Sequence, residues 1–133
     1  MKTFINLAVG DLSRSRSFFT ALGFQFDDNF KDPAAIIMKI GPGCNAILVA
    51  NERFTSLTPK AIADASQTSE VLLGLQLDSR EAVDEMMDKA LAQGASVARE
   101  AADHGYMYDR AFSDLDGHFW EPFWMQSPKA DSD

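Results

Sequence analysis

Asp114-Leu115-Asp116-Gly117-His118-Phe119-Trp120-Glu121 is the stretch whose reading decides the fold. Asp116-Gly117 is a turn dipeptide, because Gly accepts positive φ without a steric cost and Asp bonds readily to nearby backbone. The apolar run behind it, Phe119 to Met125, reads as a strand buried on both faces. Its one acid, Glu121, occupies a place where a carboxylate is costly unless something pairs with it. Glu121 therefore either serves a ligand or is neutralised by a structural partner.

Working outward, the same order of elements is written twice. Phe4 to Val9 reads as a strand, and Asp11 as the N-cap of a helix over Leu12 to Leu22 that ends at Gly23. Phe24-Gln25-Phe26 opens a second strand. Ala35 to Ile40 and Ala46 to Ala50 form a hairpin about Gly41-Pro42-Gly43-Cys44-Asn45. In the second half Val71 to Leu77 is a strand and Asp78 caps a helix over Ser79 to Gln93, with Glu81 completing a capping box. Gly94 ends that helix, and strands follow at Ser96 to Ala98, Tyr106 to Phe112 and from His118. Between the halves, residues 51–69 form a polar connector with a short helix near Pro59 to Ala65. The fold class is α+β: two βαβββ modules, about residues 2–50 and 70–126, pair into a curved eight-stranded mixed sheet with helices on the convex side. Residues 1–126 form one domain, and 127–133 a disordered tail.

Composition narrows the function classes. Apolar residues make up 46% of the 133, ten of them Phe, so the chain is globular. No apolar run approaches the roughly 18 residues of a membrane helix, and Met1-Lys2-Thr3-Phe4 carries no signal-peptide pattern. The one cysteine, Cys44, excludes an internal disulfide and a cysteine-built zinc site. These features point to the cytoplasm. A net charge of −8 with scattered basic residues argues against nucleic acid.

In this order and spacing, Val9-Gly10-Asp11-Leu12 with Ser15, Phe18, Phe19 and Leu22-Gly23-Phe24, then Gln93-Gly94 and the Asp114–Glu121 stretch, resemble the vicinal oxygen chelate superfamily of glyoxalase I, bleomycin-resistance proteins and extradiol dioxygenases. The likeness covers about residues 2–126 and is nearest to small lactoylglutathione-lyase-like proteins. It implies a ligand site on the concave side of the sheet and a homodimer.

Metal-using members set a His, Gln or Glu on each of four strands. Those positions carried over fall on Phe4, Leu48, Leu72 and Glu121, of which Glu121 alone matches. A bound ion needs several lone pairs converging at about 2.0–2.2 Å, so the expectation is no cofactor and a metal-independent protein that binds a small molecule. The alternative is a metal-dependent lyase, isomerase or dioxygenase using Zn, Ni or Fe. Glu121 is the candidate for a catalytic role, as a cavity carboxylate with its pKa raised by burial. Phe4, Leu48, Leu72, Phe119 and Phe123 would floor an apolar pocket, with Asn6 and Gln76 as polar contacts or cross-sheet partners. Tyr106, Tyr108 and Arg110 alternate along one strand. On a concave face they would serve a ligand; on a convex face they are packing and surface charge; and Arg110 could instead neutralise Glu121. Trp120 and Trp124 alternate opposite Glu121 and belong under a helix. His118 and His104 read as turn or surface residues, and Arg80, Glu81, Asp84 and Glu85 as a solvated helix face.

Overall fold

The computed structural model describes residues 1–127; most of the expected tail lies outside the described residues. Two compact units are present. The first comprises Met1–Thr68 together with Leu115–His118, and the second Ser69–Asp114 with the chain from Phe119 onward. Each contains a four-stranded mixed sheet, so the eight expected strands are present as two sets of four.

In the first unit the strands are β1 (Thr3–Val9), β2 (Gln25–Phe26), β3 (Ala35–Gly41) and β4 (Cys44–Ala50), in the order β1-β4-β3-β2. β1 and β4 are parallel, and the other pairs antiparallel. A parallel pair needs a long crossover, and helix α1 (Leu12–Ala21) begins it. Asp11 caps α1 as expected, its carboxylate accepting from the Arg14 amide. α1 packs on β3 and β4 and covers the face that carries Leu7, Val9, Met38, Ala46 and Leu48, all buried. Burying each such large side chain is worth about 1.5–3 kcal/mol.

The connector differs from the expected one. Its helix, α2, spans Asn51–Phe54, directly after β4, and none forms from Pro59 to Ala65. Pro59 supplies no amide donor. Downstream, the Asp64 carboxylate accepts from the Ser66 amide and hydroxyl, which favours a turn over a helix.

The second unit repeats the plan with β5 (Leu72–Gln76), α3 (Arg80–Ala92), β6 (Ser96–Asp103), β7 (Met107–Ser113) and β8 (Phe119–Met125), ordered β5-β8-β7-β6. Gly23 and Gly94, the residues that end the two crossover helices, both sit at φ +102. The cap of α3 is Ser79 and not Asp78: the Ser79 hydroxyl accepts from the Ala82 amide. That shifts the frame by one residue and leaves Glu81 an acid of the first turn rather than the reciprocal member of a box. Ser79→Ala is expected to cost about 1 kcal/mol, readable as a lowered urea midpoint with unchanged slope.

Arg80 and Asp84 are not simply solvated. Arg80 donates to both Asp103 oxygens, at 2.7 and 2.9 Å, and to the Gly105 carbonyl at 2.8 Å. Its guanidinium also lies 5.4 Å from the Tyr108 ring centroid and 5.0 Å from that of Trp124. It thus pins the β6–β7 turn to the start of α3. The Arg80 guanidinium, with the Gly105 amide, holds the Asp103 carboxyl down at about 2, below its ordinary 3.8. A depressed acid stabilises the fold above its unfolded value and loses that contribution as pH falls through its folded one. The turn is therefore expected to loosen between about pH 4 and pH 2. Amide exchange at Gly105 should accelerate over that range and cease to respond in Asp103→Asn.

Candidate functional site

The face of the second sheet turned away from α3 follows from strand parity. Leu73 and Leu75 are buried, while Leu72, Gly74 and Gln76 alternate to the other side. The register pairs these three with Phe119, Glu121 and Phe123 of β8. Leu72 is 57% exposed, a large apolar side chain standing open. Trp120, fully buried, and Trp124, in contact with Arg80 of α3, occupy the opposite face as expected. Trp120 donates from Nε1 to Asp114 at 2.8 Å.

Glu121 has a partner on its own face, and it is Arg99. That arginine reaches from β6 across β7: its Nη2 donates to Asp109 Oδ1 of β7 at 2.8 Å and to Glu121 Oε2 of β8. Its register partner is Ala111, whose methyl group lets the long stem pass. The guanidinium lies 5.5 Å from the Phe119 ring centroid, a cation–π distance. Glu121 and then Asp109 raise the Arg99 pKa above its ordinary value, so the side chain stays cationic. The result is a charged cluster of one cation and two anions on a partly apolar face.

Three sequence expectations need correction here. Tyr108 and Arg110 do share a face, but it is the α3 face: the Tyr108 hydroxyl donates to Asp84 Oδ1 at 2.6 Å and Arg110 Nη1 to the same oxygen at 3.0 Å. They hold Asp84 below its ordinary value, chiefly through the Tyr108 hydroxyl, while burial first and Asp84 second raise the Tyr108 hydroxyl. Arg110 therefore does not neutralise Glu121. Tyr106 precedes β7, is 59% exposed and stacks loosely on His104, so it is a turn residue.

In the first unit Phe4 and Asn6 alternate with the buried Leu7 and Val9 and lie on the face away from α1, Phe4 45% exposed. Leu48 does not join them. It pairs in register with Leu7, on the α1 face. The β4 residues on Phe4's side are Asn45, Ile47 and Val49, one position out of step with the carried-over ligand position.

The turn of the decisive stretch belongs to the first unit and braces it. Asp116 accepts from the Gly10 amide at 2.8 Å and the Ser15 hydroxyl at 3.3 Å, and His118 donates from Nε2 to the Ala8 carbonyl at 2.7 Å. With Asn51 and Ile62 to Ala65 they line a cleft of about 330 Å³. The polar groups here tie the turn to β1 and α1, a structural use of side chains that a lone sequence leaves open.

The family model described as Glyoxalase/Bleomycin resistance protein/Dioxygenase superfamily matches residues 3–121. The chain belongs to this superfamily. Among solved structures, the superfamily member resembles a hypothetical protein from S. aureus at 28% identity and TM-score 0.80, over 96% of this chain and 94% of that one. It also resembles a glyoxalase/bleomycin resistance protein/dioxygenase family enzyme from Burkholderia phytofirmans PsJN, at 18% identity and TM-score 0.78, over 92% and 96%. The fosfomycin resistance protein FosX from Listeria monocytogenes aligns at 19% identity and TM-score 0.69, over 99% and 96%. The last two likenesses are of fold. No curated protein matches the sequence.

The carboxylate of Glu121, the residue that the sequence reading matches to a ligand position, accepts from the Arg99 guanidinium. Among the described residues no group of three or more His, Cys, Asp or Glu is arranged to hold a metal ion. Arg99 and Asp109 were missed by sequence reasoning. Asp109, an acid in parity with Met107 and Ala111, carries the same signal as Glu121 and could have been flagged by it.

Proposed function

We propose that this superfamily member binds a small molecule without a resident divalent ion, on the face of the β5-β8-β7-β6 sheet turned away from α3. The observation that carries this reading is the ion pair of Arg99 with Glu121. An ion at Glu121 would have to displace the Arg99 guanidinium, and beside the Asp109 carboxylate this face of the second sheet carries carbon side chains at Leu72, Phe119 and Phe123. Such a donor set does not fit zinc, nickel or iron, which require several strong lone pairs at once. The superfamily's metal chemistry is accordingly not assigned to this chain.

What the face offers is the usual mixture for small-molecule recognition, apolar surface with a few fixed polar groups. Leu72, Phe119 and Phe123 supply the surface, and Gly74, whose missing side chain would reach Phe123 and Glu121 at 3.5 and 3.9 Å, keeps it open. Protein-observed NMR with apolar and aromatic fragments in excess EDTA tests the reading. Shifts clustered at Leu72, Phe119, Glu121 and Phe123 are expected; shifts that arise there only after a divalent metal is added would refute it.

A cytoplasmic homodimer belongs to the same proposal. Among the described residues no helix is long and apolar enough to cross a membrane. The exposed Phe4, Val71 and Leu72 suit coverage by a ligand or a second copy. Light scattering at micromolar concentration that gives the mass of one 14.6 kDa chain would count against the dimer.

A further inference from the structure

Arg99 holds one oxygen of Glu121 and leaves the other. The guanidinium donates to Oε2, and among the described residues no donor reaches Oε1. Oε1 is turned toward Gly74, 3.9 Å from the place a Cβ would take there. The Glu121 side chain is 22% exposed, so a ligand can reach this oxygen.

The space above Gly74 is a notch in the sheet. Gly74 stands in register with Glu121, and its φ is not positive, so its backbone makes no demand for glycine. A glycine inside a strand weakens it and often marks a place where something approaches the backbone closely. What Gly74 supplies here is room. Along β5, Leu72 and Gln76 rise on either side of it, both exposed. Across the strand pair, the Phe123 ring closes the space at 3.5 Å from the absent Cβ. The notch thus has a backbone floor, apolar walls at Leu72 and Phe123, and two polar groups, Glu121 Oε1 and the Gln76 amide.

Charge decides what fits. Asp109 and Glu121 outweigh the single positive charge of Arg99 by one, and the whole chain carries −8. An anion would be repelled. An uncharged group would leave the surplus negative charge uncompensated. A divalent ion would meet one uncommitted carboxylate oxygen among carbon walls, too few donors to replace its water. An organic ammonium meets every condition: it donates N–H bonds to a charged acceptor, supplies the missing positive charge, suits the face of an aromatic ring and carries an apolar body.

We propose that the notch over Gly74 receives the ammonium group of an amine, which donates to Glu121 Oε1 beside the Gln76 amide while its apolar body rests on Leu72 and Phe123. This deepens the function proposed above and rests on it.

Protonated 2-phenylethylamine is a suitable probe, with 2-phenylethanol as its uncharged counterpart and 3-phenylpropanoate as an anionic one. Titrations would follow the backbone amides of Leu72 and Phe123 in the wild-type chain, in Glu121→Gln and in Gly74→Ala. Glutamine keeps an oxygen for Arg99, and the methyl group of Gly74→Ala meets its neighbours only at ordinary contact distance, so both variants are expected to fold, checked by circular dichroism. The proposal expects the amine to shift both signals and to bind the wild type more tightly than either counterpart does. It also expects binding about tenfold weaker in Glu121→Gln, the difference between a charged and a neutral acceptor, and weaker binding in Gly74→Ala, where the notch is filled. Equal affinity for the amine and the alcohol, or tighter binding of the propanoate, would overturn the cationic class and leave the binding face standing. Amine affinity unchanged in either variant would overturn the notch. Absence of any shift at Leu72 and Phe123 with all three probes would overturn both this inference and the reading it rests on.

Discussion

Gly117→Ala lowers stability by about 3–4 kcal/mol, the largest effect expected of any single methyl group in this chain. Two independent costs meet at this residue. Its backbone sits at φ +92, where an L side chain is strained by roughly 1–2 kcal/mol. The added Cβ would also lie 2.9 Å from the Ala65 carbonyl carbon and the Ser66 amide nitrogen, and 3.0 Å from the Ala65 oxygen. Those are backbone atoms of a turn held by Asp64, so they cannot step aside as a flexible side chain would. Relief by shifting Gly117 itself would pull on Asp116 and His118, which grip Gly10, Ser15 and Ala8. Gly23→Ala is the control, because Gly23 has comparable φ but nothing within 4 Å of a new Cβ. It is expected to lose only the strain contribution. Urea denaturation of both variants checks the pair; equal losses would show that the approach to Ala65 and Ser66 does not matter.

Arg99→Ala is expected to cost about 2 kcal/mol, the second large effect. Deleting one partner of a buried ion pair typically costs about 3–5 kcal/mol because the other charge is left without compensation. Here the Arg99 side chain is 41% exposed and that of Glu121 22%, so water takes up part of the loss. Asp109 has only 8% exposure and bears the greater part. Two carboxylates facing each other across β7 and β8 repel once the guanidinium between them is gone. Glu121→Gln added to Arg99→Ala should recover part of the stability, a coupling that separate sites would not produce. Thermal melts of the two single variants and the double variant read this coupling. A double variant that loses the sum of the single losses would contradict the ladder from β6 to β8.

Local chemistry made much of the fold legible in the residues themselves. Asp11, Gly23, Gly94 and Asp116-Gly117 announce caps and turns whose backbone needs are satisfied within a few residues, and their repetition marks two like modules. The faces were harder to read. Tyr108 and Arg110 alternate correctly, yet parity alone does not say which side of a sheet a helix will cover. Leu48 falls one residue out of step with the sequence expectation, in a hairpin whose β3 side is irregular between Lys39 and Gly41. Slipping one residue in a strand reverses the face. Arg99 was hidden for a similar reason. β6 is irregular between Val97 and Arg99 and again between Arg99 and Ala102, which breaks the two-residue period on which recognition of a strand depends. The period therefore ends the strand at Ala98, and the partner of Glu121 lies just beyond that point.

The central claim is that Arg99, and not a divalent ion, holds the carboxylate of Glu121. Elemental analysis of the purified chain by mass spectrometry, before and after dialysis against EDTA, tests it most directly. The account predicts no stoichiometric zinc, nickel or iron in either sample, and the same fragment shifts at Leu72 and Phe119 in both. One equivalent of metal per chain, lost in Glu121→Gln, would contradict it.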